Sequence, residues 1–248
     1  MQFGPKIAEG KTKILYAVPG KPGEAFVKNK DDITAGDGAR HDLLPGKGAI
    51  ACETTANCFK LLEANGIETH FVARPAPDVM IAKKCEMIPL ECVARRIATG
   101  HYLARKPDVK EGTVFPELVI EFFLKDDARH DPLVTKKEIE TAGIANEIDV
   151  EDMEKTLKRV FLVLEEAWRK QNVALVDLKI EFGKLSGGSL VVADVIDNDS
   201  WRLWPGGKKE GMLDKQVYRN AKQVTPEILG KVKANYAKVA EMTKKFLE

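Results

Sequence analysis

The sequence lacks any apolar run approaching the roughly 18 residues of a membrane-spanning helix, and no signal-peptide pattern follows Met1. These absences exclude a membrane partner and point to a cytoplasmic protein. The four cysteines, Cys52, Cys58, Cys85 and Cys92, lack C-x-x-C spacing, and each lies in a stretch that otherwise reads as buried helix or strand. Reduced core thiols are expected. Net charge is also nearly absent, because 39 Lys and Arg face 38 Asp and Glu to leave +1. That balance excludes the broad basic footprint of a nucleic-acid binder, so any bound nucleotide must be held by a local cluster of charge. No repeat or low-complexity linker interrupts the 248 residues, a length that suits one large domain or two closely packed lobes.

What is present reads as an α+β chain. Lys13 to Val18 and Ala25 to Lys28 form a predicted hairpin around the Pro-Gly-Lys-Pro-Gly run from Pro19 to Gly23. After a Gly- and Asp-rich stretch from Asp31 to Gly48, Ala49 to Asn65 reads as a helix ended by Gly66. Short strands are expected near Phe71, Met80 and Met87, with another from Val119 to Leu124. Met153, Leu157, Phe161, Leu164 and Trp168 recur at helical spacing and mark a buried stripe. Strands from Val173 to Phe182 and from Leu190 to Asp197 come next, and a last helix opens at Thr225 and Pro226, with Ile228, Val232, Tyr236, Val239 and Phe246 on one face. Strands mixed with few helices favour α+β over a regular parallel sheet.

The strand Val176-Asp177-Leu178-Lys179-Ile180-Glu181-Phe182 places Asp177, Lys179 and Glu181 on one face. Such a face can simply meet water. The next strand, however, carries a single acid, Asp194, in an apolar run that looks buried, so that acid needs a partner. If Gly187-Gly188 makes a two-residue turn, Glu181 faces Asp194. Paired carboxylates of this kind suit Mg²⁺ completed by phosphate oxygens and water; the alternative has Lys179 neutralise one of them.

Two further clusters invite a phosphate. Glu9-Gly10-Lys11-Thr12-Lys13 is not a P-loop, because five residues separate Gly4 from Gly10 where that motif needs four, and the residues after Lys13 read as strand, not helix. A glycine turn between strands can still bring amides and a lysine to a phosphate, although lysines beside a turn are usually solvated. Arg95-Arg96-Ile97-Ala98-Thr99-Gly100-His101 carries two arginines toward a glycine turn, where they could bind phosphate or pair with Glu86 or Glu91.

These segments, together with the runs from Asp31 to Arg40, Phe123 to Asp127 and Asp197 to Trp204, closely resemble the SAICAR synthetase family from about Gly10 to the final helix. The resemblance implies a two-lobed, ATP-grasp-related fold, in which a smaller antiparallel β lobe (about 1–88) covers a larger α+β lobe (89–248) with ATP in the cleft. It implies a ligase of purine synthesis that uses ATP and Mg²⁺ to join L-aspartate to the carboxylate of carboxyaminoimidazole ribonucleotide, through an acyl phosphate. By the same resemblance, Lys11, Lys13, Lys125 and Glu181 serve ATP with the Met87 backbone at adenine, while Glu181 and Asp194 hold the metal. Arg95, His101, Asp177, Lys179, Arg202 and Arg219 surround the ribonucleotide, with Lys125, Lys179 and Asp177 nearest the chemistry. Asp37, Gly38 and Arg40 are the candidates for the aspartate side. The chain departs from the family at His101, where serine is usual. A homo-oligomer is expected. Two rivals are a small-molecule kinase, which would release ADP without aspartate, and a nucleotide-binding regulator, which would release none.

Overall fold

A computed structural model describes residues 1–36 and 38–248. Its first sheet grows from strands β1 (Lys6–Glu9), β2 (Lys13–Val18) and β3 (Lys21–Asn29). Val18 pairs with Lys21 across Pro19 and Gly20, where proline supplies the fixed φ and Gly20 the positive one, 74°. The returning strand is thus longer than expected, and β1 adds an edge that the sequence pattern did not reveal. A small hairpin of β4 (Asp32–Ala35) and β5 (Arg40–Leu43) leads to helix α1 (Lys47–Ala64). Gly46 offers no side-chain cap, so the Asp31 carboxylate takes that role from a distance, accepting the Gly46 and Gly48 N–H groups at 2.9 Å each. Strands β6 (Phe71–Ala76) and β7 (Val79–Lys83) complete the antiparallel order β1-β2-β3-β7-β6.

The second sheet begins with β8 (Glu86–Met87) and β9 (Leu90–Ile97), continues past the short helix α2 (His101–Arg105) to β10 (Val114–Leu124), and adds β11 (Leu133–Val134). Helices α3 (Lys136–Thr141) and α4 (Glu147–Arg169) come next. The expected stripe of α4 is fully buried, Met153, Leu157, Phe161, Leu164 and Trp168 all reaching the core. Then come β12 (Val173–Lys184), β13 (Leu190–Ala193), β14 (Trp201–Pro205), and helices α5 (Gln216–Arg219) and α6 (Pro226–Lys244). The order is β11-β10-β9-β12-β13, with β14 and β8 also pairing β12. One apolar core runs from Val27 and Met80 of the first sheet through Leu178 and Val239. Cys52, Cys58 and Cys92 are buried thiols as expected, and Cys85 is half-buried.

Three expectations need correction. Glu181 pairs with Ala193, not Asp194. The loop holds three residues, 186–188: Leu185 N–H donates to Ser189 O at 3.0 Å, and Gly188 at φ 85° closes the turn onto Leu185 O at 2.8 Å. β13 also stops at Ala193 instead of running to Asp197, because Asp194 turns to φ 61°. Arg95 and Arg96, finally, lie inside β9 and do not lead out of it.

The two sheets meet at His70. Its backbone N–H donates to Val192 O at 3.0 Å, and its carbonyl accepts from Lys83 N–H at 2.7 Å. Burial lowers the imidazole pKa to about 4, partly offset by the Asp194 charge, so the folded ring is neutral at pH 7. The unfolded ring protonates near pH 6.5 and the folded one only near 4, so stability is retained above about 6.5 and lost as pH falls between the two values. Urea denaturation of the parent is therefore expected to lose about 3 kcal/mol more between pH 7 and pH 4 than that of His70→Gln, whose amide does not titrate.

Candidate active site

Strand β12 is buried along almost its whole length, so its charged residues must find partners within the protein. Asp177, 5% exposed, accepts Arg95 Nη1 at 2.7 Å and also pairs with Arg202 Nη1. Arg95 Nε donates to Glu121 at 2.6 Å, and Arg105 bonds the other Glu121 oxygen. Three guanidiniums thus face two carboxylates, leaving a local excess of positive charge. Arg202 lies against Gly100: a Cβ there would stand 2.5 Å from Arg202 Nη2, and the backbone has φ 61°. Only glycine suits both conditions. His101 comes next, at the exposed start of α2.

Four residues along β12, Glu181 accepts Lys125 Nζ at 2.7 Å and Lys179 Nζ at 2.9 Å. Lys179 also reaches Glu91 at 3.2 Å. Asp194, the acid that needed a partner, pairs with Lys13. Burial alone would lower the pKa of Lys125 and Lys179, but Glu181 and Asp194 raise both, with Glu91 adding to the effect on Lys179. Both ammonium groups therefore stay charged at neutral pH. Burial would raise the Asp194 pKa; Lys13, Lys179 and Lys125 instead hold it below the usual carboxylate range. Glu181 and Asp194, although not register partners, thus share the same lysines.

Lys11 contacts both oxygens of Asp127 at 3.1 Å, and a Cβ on Gly38 would lie 3.9 Å from Lys11 Cε. Met87 is exposed on β8, opposite Gly183 of β12. Beside it an open cavity of about 450 Å³ is lined by Lys84, Cys85, Glu86, Lys184, Leu185 and Ser186. Arg40 donates to Tyr218 O at 2.9 Å and stacks over the Tyr218 ring at 5.6 Å. Asp37 lies outside the described residues.

A third group centres on Asp199, whose carboxylate takes Lys215 Nζ at 2.9 Å and Tyr236 Oη at 3.0 Å, with Lys47 Nζ at 3.8 Å. Burial would raise the Asp199 pKa, but Lys47, Lys215 and Arg219 lower it. Arg219, exposed at the end of α5, thus acts on Asp199 by its charge.

The SAICAR synthetase family profile matches residues 6–242. The chain belongs to the SAICAR synthetase family. A phosphoribosylaminoimidazole-succinocarboxamide synthase of Roseiflexus sp. (strain RS-1) is 59% identical to it over 243 residues, covering 98% of each chain. The crystal structure of the corresponding synthase from Ehrlichia chaffeensis has a TM-score of 0.88 at 32% identity, covering 97% of this chain and 98% of that one. A SAICAR synthetase solved in complex with ADP has a TM-score of 0.83 at 32% identity, covering 93% and 97%. Membership makes this chain a ligase of purine biosynthesis.

For a SAICAR synthetase, the sequence reading missed Glu121, Arg105, Lys47, Lys215 and Asp199 as parts of these networks. Asp199 lies in a run already singled out, Asp197 to Trp204, and Lys215 precedes Arg219 by one helical turn. Lys47, only 2% exposed, gives no such signal, because the Gly-rich stretch around it reads as a loop. Gly100→Ala is expected to destabilise the protein by about 1–3 kcal/mol through backbone strain and collision with the guanidinium. Repeating it in an Arg202→Ala background removes the collision and should leave only the strain, a non-additivity that a double-mutant cycle by chemical denaturation measures.

Proposed function

We propose that the chain joins L-aspartate to the carboxylate of carboxyaminoimidazole ribonucleotide at the expense of ATP, yielding SAICAR, ADP and phosphate. The observation that carries this reading is the layout of β12, which has a guanidinium cluster at Asp177, an ammonium cluster at Glu181 and Lys179 between them. Residues 177 and 181 are about 13 Å apart along an extended strand, enough for two phosphorylated substrates to approach from opposite ends. Guanidinium forks suit the terminal phosphate of a ribonucleotide, and lysines suit the phosphates of ATP.

The nucleotide reading assigns Lys11, Lys13 and Lys125 to ATP phosphates, with adenine near the Met87 backbone. The cavity beside β8 supports that placement. Residues 1–88 and 89–248 act as two ATP-grasp-related lobes with ATP between them, a division supported by the two separate sheets, although β8 (Glu86–Met87) already belongs to the second. Arg95, His101, Asp177, Lys179, Arg202 and Arg219 serve the ribonucleotide, and Gly38 and Arg40 the aspartate side.

A carboxylate oxygen is a poor leaving group, so an amine does not displace it at neutral pH. The ribonucleotide carboxylate oxygen attacks the γ-phosphorus, breaking its bond to the ADP oxygen and forming an acyl phosphate. The neutral aspartate amine then attacks the acyl carbon, the bond from that carbon to the phosphate oxygen breaks, and inorganic phosphate departs with the amine proton. Lys179 stays charged, so it offsets negative charge on the carboxylate and the moving phosphoryl group and does not act as a base. Its neighbour Lys125 does the same from the other side of Glu181.

Glu181 and Asp194 would hold Mg²⁺. No group of three or more His, Cys, Asp or Glu suited to a metal occurs among the described residues, whereas these two acids share a lysine cluster. That donor set fits an ion which takes most of its oxygens from phosphates and water. Bound there, Mg²⁺ would neutralise charge on the transferred phosphoryl group.

Sustained ADP release over many turnovers is expected only when both aspartate and ribonucleotide are present; sustained release without aspartate would favour a kinase. Glu181→Gln and Asp194→Asn should each lose most activity with native circular dichroism, and near-parent turnover of both at limiting Mg²⁺ would refute the metal assignment. Arg202→Ala should raise KM for the ribonucleotide well above any change for ATP. Arg95→Ala is a poorer probe, because it leaves two buried carboxylates short of a partner at a cost of about 3–5 kcal/mol.

A further inference from the structure

Asp194 presents its carboxylate from a left-handed backbone, at φ 61°, immediately after β13 ends. Aspartate adopts that conformation more readily than most side chains, so a neighbouring contact suffices to select it. The holding contact is His70, whose Nε2 lies 3.0 Å from the Asp194 carbonyl oxygen. A carbonyl can only accept, so the imidazole proton is on Nε2. The ring itself cannot drift: it is 6% exposed and packs edge-to-face on Phe59 with centroids 5.5 Å apart. Its backbone is bonded on one side to Val192, two residues before Asp194, and on the other to Lys83 of the first sheet.

We propose that His70 is a positioning residue of the nucleotide–metal site: its Nε2–H holds the Asp194 carbonyl, fixing the turn that aims the Asp194 carboxylate at Lys13 and at the Mg²⁺ it shares with Glu181. The inference rests on the metal reading above. A histidine that merely joined the two sheets would affect stability alone. One that sets a ligand's direction affects the metal dependence of nucleotide binding as well.

The test compares the full chain with His70→Leu, His70→Gln and Asp194→Asn, measuring ADP binding by calorimetry with and without Mg²⁺, and Mn²⁺ binding to the ADP complex by electron paramagnetic resonance. Glutamine can place its amide Nε2 where the imidazole Nε2 lies, whereas leucine fills the space without a donor. His70→Leu should weaken the metal-dependent part of ADP binding about tenfold and leave metal-free ADP binding within about twofold, with His70→Gln recovering most of the loss. Should His70→Leu fail to fold, His70→Asn replaces it, since its shorter amide stops short of the carbonyl. Parent-like metal dependence in His70→Leu or its replacement, with a loss in Asp194→Asn, would overturn the role of His70 and keep the metal reading. An equal loss in His70→Gln would assign the effect to ring volume and also overturn it. Parent-like behaviour of Asp194→Asn would overturn the metal reading, and this proposal with it.

Discussion

The architecture depends on one constraint: charged residues on a buried central strand must be neutralised within the protein. Strand β12 is flanked by β9 on one side and by β13 and β14 on the other, so Asp177 and Glu181 have little access to water. An isolated buried carboxylate is prohibitively costly, and each is retained only because cations converge on it. The partners come from distant segments: Arg95 from β9, Lys125 after β10 and Arg202 from β14. Neutralising β12 therefore gathers the cations that the proposed chemistry needs.

The same arrangement sets protonation. Lysines desolvated without partners would lose their protons, but here the neighbouring carboxylates outweigh burial and keep Lys125 and Lys179 charged. Asp194 is kept ionised by those lysines together with Lys13. A ready-made field of this kind requires little reorganisation when a phosphoryl group arrives, which is how preorganised electrostatics lowers a barrier. Around Asp199 the balance differs: burial outweighs the carboxylate and lowers the Lys215 pKa, while burial and the Asp199 charge raise that of Asp197.

Packing completes the site with little tolerance. Gly100 exists where Arg202 needs its space, and Gly183 leaves room for Cys85, whose Sγ would be 2.5 Å from a Cβ at that position. These glycines are spatial requirements set by a neighbour distant in sequence. Asp31, which caps α1 from across a hairpin, is the acidic counterpart of the same dependence.

By itself the sequence determined the periodic elements and the chemistry-bearing types. The α4 stripe, the α6 cap at Thr225, the charged face of β12 and the need of Asp194 for a partner could all be read, because 3.6- and 2-residue periods and capping chemistry are local. The family could be read because long motifs keep their order. Only the tertiary structure decided which charges meet. Arg95 chose Glu121 and Asp177 over Glu86 or Glu91, and Arg219 joined Asp199. The hairpin register also waited on the structure, since Gly187-Gly188 is compatible with two- and three-residue loops and one residue reverses what faces what. Nor could Lys47 or His70 be singled out. Their partners lie more than 100 residues away, and proximity of that kind is created by the fold, not by spacing along the chain.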